Sequence, residues 1–375
     1  MSRETLPTEV DIESRLKRGE VEFPPLKLTW EKARSKETST EIDGAVRVTW
    51  QKKTFRFAVE CKRLSNPKTL REAFAQARRN IGKENLLPLV VVPYLSERSI
   101  DELESERVSG IDLCGNGIVT VPGELFVRRT GAINRFQTEG VIKNVYRNSS
   151  SVVARLFLAQ PEFDSVQDAL SELVQRGGRV TLPTVSKVCK GMENDLILER
   201  KRGGKTEQDR GTKLRVIQPE KLLERLAENY TLPNVATRLT GKLIGIESAQ
   251  TRELLRGWAD KTKNQIAITG TSSVGAYAVM AREGVQEFYC TDVAAAVRLL
   301  GDRFQPTDRF ATISLLETRD EEVYFDRRDD LIASPVQTFL ELSTGDKRDK
   351  ETADQVKAVI MNGISGAKAK TKPRR

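Results

Sequence analysis

Between residues 44 and 61 apolar and polar positions alternate with a period of two, the mark of a β-strand with one buried face. The polar stretch 51–54 interrupts the alternation and predicts the turn of an antiparallel hairpin. The pairing that keeps every apolar side chain on one face sets Trp50 opposite Phe55 and Val48 opposite Phe57. It continues with Val46 opposite Val59 and Gly44 opposite Cys61. Further strands are predicted at 26–30, 86–95, 117–122 and 125–129. Residues 69–82 change to helical spacing, with Leu70, Ala73, Phe74 and Ala77 on one face and Gly82 near the end. The first segment is therefore an α/β pattern.

Beyond it, 150–161, 165–178 and 182–195 read as three short helices. Strands at 196–202 and 213–219 follow, joined by the polar stretch 203–211. Three helices and a hairpin form the pattern of a winged helix-turn-helix. A third segment mixes helices (249–261, 292–301) with strands (267–270, 287–292), an α+β pattern. The expected architecture is an α/β multidomain chain. Its domains run 1–135, 145–220 and 230–362, and a basic, disordered tail occupies 363–375.

Composition narrows the chemistry. Among 375 residues there is no histidine. That removes Ser-His-Asp and Cys-His catalysis, HNH-type nucleases, Cys2His2 fingers and His-ligated metal centres. Catalysis, if present, rests on carboxylates, Lys, Ser/Thr, Tyr or Cys. The four cysteines, Cys61, Cys114, Cys189 and Cys290, stand far apart without a Cys-x-x-Cys pair, so core packing is expected for each. Five of the nine net positive charges belong to Lys368, Lys370, Lys372, Arg374 and Arg375, so net charge alone says little about the remainder. No apolar run approaches membrane-spanning length, and the charged start is unlike a secretory signal. A cytoplasmic location, nucleoid-associated when DNA-bound, is expected.

On the polar face of the hairpin the same pairing sets Arg47 opposite Ala58, Ala45 opposite Glu60 and Asp43 opposite Lys62. Asp43 and Glu60 become diagonal neighbours, and Glu60 and Lys62 project to one side. Two carboxylates suit a hard cation, Mg2+ or Mn2+, which polarises a phosphodiester and acidifies a bound water. A neighbouring ammonium stabilises the developing charge. The alternative is a solvated face with an Asp43–Lys62 ion pair. The residues Ile42-Asp43-Gly44 and Val59-Glu60-Cys61-Lys62 resemble the signature of the PD-(D/E)XK nuclease superfamily. The following helix with Gln76, and then a strand, match that family's restriction-endonuclease-like αβββαβ order. The resemblance, over about 20–130, implies that Asp43 and Glu60 bind metal and that Lys62 acts at the phosphate. It also suggests Glu13 as a further acid from a preceding helix.

In 182–195, Val185, Val188, Cys189 and Met192 form an inward stripe, with Pro183 near the start and Thr181 as its cap. Thr184, Ser186, Lys187 and Lys190 occupy the other face, where hydroxyls and cations can meet base edges and phosphates. Arg202, Lys205 and Arg210 lie on or beside the wing. The stretch resembles the recognition helix of bacterial winged-helix regulators, which implies a double-stranded DNA partner. A winged helix used for protein contact is the alternative.

Ser334-Pro335-Val336-Gln337, Glu341 and the closing helix resemble the C-terminal part of AbiEi-type antitoxins of type IV toxin–antitoxin systems. That resemblance implies transcription regulation without catalysis, and a toxin or defence-system protein as partner. A homodimer is a further expectation. The turn Gly270-Thr271-Ser272-Ser273 is read as a helix start satisfying its own amides. Asp326 and Asp329 are wrongly spaced for a nucleotidyltransferase. Two readings follow: a DNA endonuclease of a defence or mobile-element system, or an antitoxin-like repressor that keeps the nuclease fold as a scaffold.

Overall fold

The computed structural model describes residues 4–31, 44–80, 86–136, 144–202, 212–279 and 284–370. It is a mixed α/β structure with several sheets and two compact units, Met1–Lys143 with Asn194–Leu196, and Asn144–Glu193 with Ile197–Arg375.

The first unit opens with α1 (Glu9–Lys17), started by a capping box in which Thr8 and Asp11 satisfy each other's backbone amides. Three antiparallel strands follow: β1 (Lys27–Glu31), β2 (Gly44–Trp50) and β3 (Lys53–Cys61). Helix α2 (Pro67–Asn80) crosses to β4 (Leu87–Val92), which lies parallel to β3, as such a connection requires. A helix absent from the expected set, α3 (Glu97–Ser105), leads to β5 (Ser109–Asp112), parallel to β4. The antiparallel strands β6 (Gly117–Val121) and β7 (Leu125–Arg129) complete a sheet ordered as the chain runs.

Both faces of this sheet are buried. Ile12 and Leu16 of α1 pack with Val46, Val48, Phe57, Val59 and Cys61. On the other face Leu70, Ala73 and Phe74 of α2 pack with Val90, Val92, Ile100 and Leu103. The turn between β2 and β3 is only Gln51–Lys52, and Gln51 adopts a positive φ of 54°. The register is therefore two residues from the expected one. Trp50 faces Lys53, Val48 faces Phe55, Val46 faces Phe57 and Gly44 faces Val59, while Arg47 faces Arg56 and Ala45 faces Ala58. A shift of two leaves every side chain on its predicted face, so the alternation cannot distinguish the two pairings.

The second unit begins with α4 (Ser151–Ala159), β8 (Glu162–Phe163), α5 (Val166–Gln175) and α6 (Leu182–Asn194). The hairpin β9 (Leu198–Arg202) and β10 (Thr212–Val216) and helix α7 (Pro219–Asn229) follow. The three strands are ordered β8–β10–β9 and antiparallel. Helix α5 is capped by Ser165 and stops where Gly177 turns left-handed at φ 84°. Gly178 N there donates to the Leu173 carbonyl at 2.9 Å and closes the turn towards α6.

A mixed sheet ordered β12–β13–β15–β11–β14 forms the rest. Its elements in chain order are β11 (Thr237–Leu243), α8 (Ser248–Lys261), β12 (Ile266–Ile268), β13 (Gln286–Cys290) and α9 (Val293–Leu300). Strands β14 (Phe304–Pro306) and β15 (Ile313–Glu317) and helices α10 (Pro335–Ser343) and α11 (Lys347–Lys370) complete it. Leu255, Ile266, Phe288, Ala296 and Leu315 centre its core.

Apart from Asn194–Leu196, segments 145–220 and 230–362 fall in one compact unit that includes α4, whose residues from Ser151 to Leu158 are all buried. The tail expected from 363 is helical as far as Lys370, with Ile364 buried, because its Ala and Lys residues are strong helix formers. Residues 371–375 are outside the described set. Among the described residues no helix is long and apolar enough to cross a membrane.

Candidate functional site

Strand β3 positions the first candidate site. Phe57, Val59 and Cys61 point to the α1 side, so Glu60 and Lys62 take the α2 side. Glu60 sits in register with Val90 of β4, and Lys62 N donates to the Val91 carbonyl at 2.9 Å, which carries the pairing past the strand end. The Glu60 side chain is only 2% exposed, and its Oε1 lies 2.6 Å from Lys62 Nζ. Gln76 stands partly buried on α2. Asp43, the other expected carboxylate, lies outside the described residues. Glu13 pairs with Lys17 at 2.5 Å on α1, the helix that packs on the opposite sheet face. It is not brought to Glu60.

A buried carboxylate hydrogen-bonded by an ammonium can hold charge at a phosphate or accept a proton. Among the described residues no group of three or more Cys, Asp and Glu side chains is close enough to hold a metal ion. The oxygen chemistry of Glu60 suits Mg2+ or Mn2+, but one carboxylate committed to a lysine does not by itself make their site.

The second candidate site is the outer face of α6 with the hairpin. Val185, Val188, Cys189 and Met192 are fully buried, as the helical spacing predicts. Ser186, Lys187 and Lys190 are exposed, and Thr184 is half-buried, its Oγ1 3.0 Å from Thr181 Oγ1. Lys190 Nζ lies 3.8 Å from Glu193, which also accepts from Arg200 Nε at 2.5 Å. Arg202 closes β9 opposite Thr212. Lys205 and Arg210 are outside the described residues. Three cations absent from the sequence-derived set, Lys201, Lys213 and Arg215, are exposed on β9 and β10, and Lys201 directly faces Lys213. Their signal was present in the sequence: Leu214 and Val216 alternate with Lys213 and Arg215, so the cations share one outward face.

The third region surrounds α10. Ser334 caps it by accepting from Gln337 N at 3.2 Å. Gln337 Oε1 accepts from Arg155 Nη1 at 2.6 Å, while its Nε2 donates to Glu341 Oε1 at 2.7 Å and to the Tyr230 hydroxyl at 3.0 Å. Glu341 Oε2 also accepts from Thr271 N at 3.1 Å. The turn at Gly270–Ser273 thus borrows a carboxylate from α10 instead of satisfying all its own amides. Burial pushes the Glu341 carboxyl above the usual range, opposed by the donors from Gln337, Gly270, Thr271 and Tyr289. Burial likewise pulls the Arg155 guanidinium down. Asp326 is held by Arg176 at 2.7 Å, a structural ion pair. All four cysteines are free thiols; Cys61, Cys189 and Cys290 are buried as expected, whereas Cys114 is half-exposed.

No family model, curated protein or solved structure matches this chain.

Proposed function

We propose that the chain is a DNA-binding protein of a bacterial defence or mobile-element system in which α4 to β10 form a winged helix-turn-helix. The observation that carries this reading is the order α4–β8–α5–α6–β9–β10 with the sheet arranged β8–β10–β9. This is the helix–strand–helix–helix–hairpin plan expected of a winged helix. In this reading α6 enters the major groove with Ser186, Lys187 and Lys190 outward, and Lys201, Lys213 and Arg215 meet flanking phosphates. The partner is double-stranded DNA, held by cations that carry affinity and by α6 side chains that carry sequence preference.

The first unit is read as a nuclease-like domain. The order α1–β1–β2–β3–α2–β4 supports this, as do Glu60 and Lys62 together at the end of β3. In this reading Glu60 and Lys62 would hold and stabilise charge at a phosphodiester, with Asp43 as the expected second carboxylate. The second reading, a non-catalytic AbiEi-like repressor, is favoured by Gln337 of α10, which accepts from Arg155 of α4 and is itself bonded to Ser334 and Glu341.

Plasmid incubated with the protein and Mg2+ or Mn2+, beside a Glu60→Ala variant, separates the two. Cleavage lost in Glu60→Ala supports the nuclease. Duplex binding that survives Glu60→Ala with no cleavage supports the repressor. Absence of duplex binding at low salt overturns both.

A further inference from the structure

Two polar side chains of α4 are buried in the second unit with donors left over. Ser151 and Arg155 stand one turn apart on the same face of the helix and are only 3% and 2% exposed. The Ser151 hydroxyl has no hydrogen-bond partner, and neither has Arg155 Nε. Arg155 Nη1 donates to the Glu322 carbonyl at 2.8 Å and to Gln337 Oε1 at 2.6 Å, so both of its acceptors are neutral. The buried carboxyl of Glu341 is bonded to Gln337 Nε2, and the carboxamide separates it from the guanidinium.

Ser151 and Arg155 share the wall of a cavity of about 10 Å3 with Tyr230, the room of a single water or monatomic ion. The Tyr230 hydroxyl accepts from Gln337 Nε2 at 3.0 Å, so its own proton is left to donate. Arg147 and Glu322 line the cavity as well and cancel in sign, which leaves Arg155 in excess. Helix α4 starts at Ser151, and the preceding Ser150 makes no side-chain hydrogen bond to its amides. The positive end of the helix dipole therefore adds to the excess.

We infer that this cavity binds a chloride ion, held by Arg155 Nε and by the hydroxyls of Ser151 and Tyr230. All three groups can donate, and a halide accepts from every side. Water in the same place would leave the guanidinium charge uncompensated, which is costly for a cation so deeply buried. A carboxylate or a phosphate exceeds the space. The bound ion joins the first turn of α4 to Tyr230, the residue that ends α7. The site is independent of the DNA-binding reading.

Thermal melts of the full chain, with chloride exchanged for gluconate at fixed ionic strength, test the site, because gluconate is too large to enter. The midpoint is expected to rise with the logarithm of chloride concentration once the site fills. Ser151→Ala keeps a good helix former and removes one donor. It should need about tenfold more chloride for the same rise, with its midpoint in gluconate nearly unchanged. Tyr230→Phe should shift the chloride response in the same direction. Crystals grown in bromide should show anomalous scattering within hydrogen-bond reach of Arg155 Nε. The inference is overturned by equal midpoints in the two salts, by a chloride response that survives both variants unchanged, or by an ordered water there without a bromide signal.

Discussion

Arg155 Nη1 and Gln337 Oε1 meet at 2.6 Å although 182 positions separate them in the chain. Gln337 passes the contact on to Glu341, so one carboxamide stands between a buried cation and a buried anion. Replacing it with an apolar side chain removes a hydrogen bond from each charge. Gln337→Leu should therefore lose about 3 kcal/mol of stability, most of it the penalty of two poorly solvated charges. Urea unfolding of the intact chain measures this, and a loss below about 1 kcal/mol would contradict the network.

At Glu60 the expectation concerns coupling. Lys62→Ala removes the ammonium at 2.6 Å from a nearly inaccessible carboxylate and should cost about 2 kcal/mol, discounted for the partial exposure of the lysine. Glu60→Ala combined with Lys62→Ala should cost less than the sum of the single changes. Additive thermal-melt shifts would mean that the pair does not interact in solution.

On the proposed DNA face, Lys187→Ala with Lys190→Ala should weaken duplex binding across unrelated sequences. It should also flatten the dependence of log K on log salt by about two units, one per phosphate contact. The Lys201→Ala and Lys213→Ala pair makes the same test of the hairpin. Fluorescence anisotropy over a salt series reads both. An unchanged slope would remove α6 from the interface.

Burial raises the thiols of Cys189 and Cys290 from an ordinary value of 9.0 to about 12. Their neutral forms favour the native state, so the stability they contribute is present below pH 9 and is lost as pH rises towards 12. In that window the unfolded chain releases protons that the folded chain retains. Unfolding midpoints should fall there, and less steeply in Cys189→Ala. At pH 8 a thiol reagent should modify Cys114 quickly and the other three only on unfolding.

What was legible in the sequence was what repeats locally. A period near 3.6 placed Val185, Val188, Cys189 and Met192 inside, and a period of two placed Glu60 and Lys62 on one face. The hairpin register was not legible, since moving β3 by two residues preserves every face; the tight Gln51–Lys52 turn decides it. The tie from Arg155 to Gln337 leaves no periodic trace, because its partners come from distant segments. At 363–370 positive charge suggested disorder, whereas the helix preference of Ala and Lys prevails.

Helix α4 has no outward face. It packs with α5 and α7 and is tied to α10 through Arg155, so every side chain from Ser151 to Leu158 is enclosed. The helices α5 and α7 and the helix α10 therefore share α4 as one keystone. A fragment ending after Asn229 would carry α4 with part of its covering stripped away and should aggregate or melt early. A protease acting on the native chain should not make its first cut between Ser151 and Leu158.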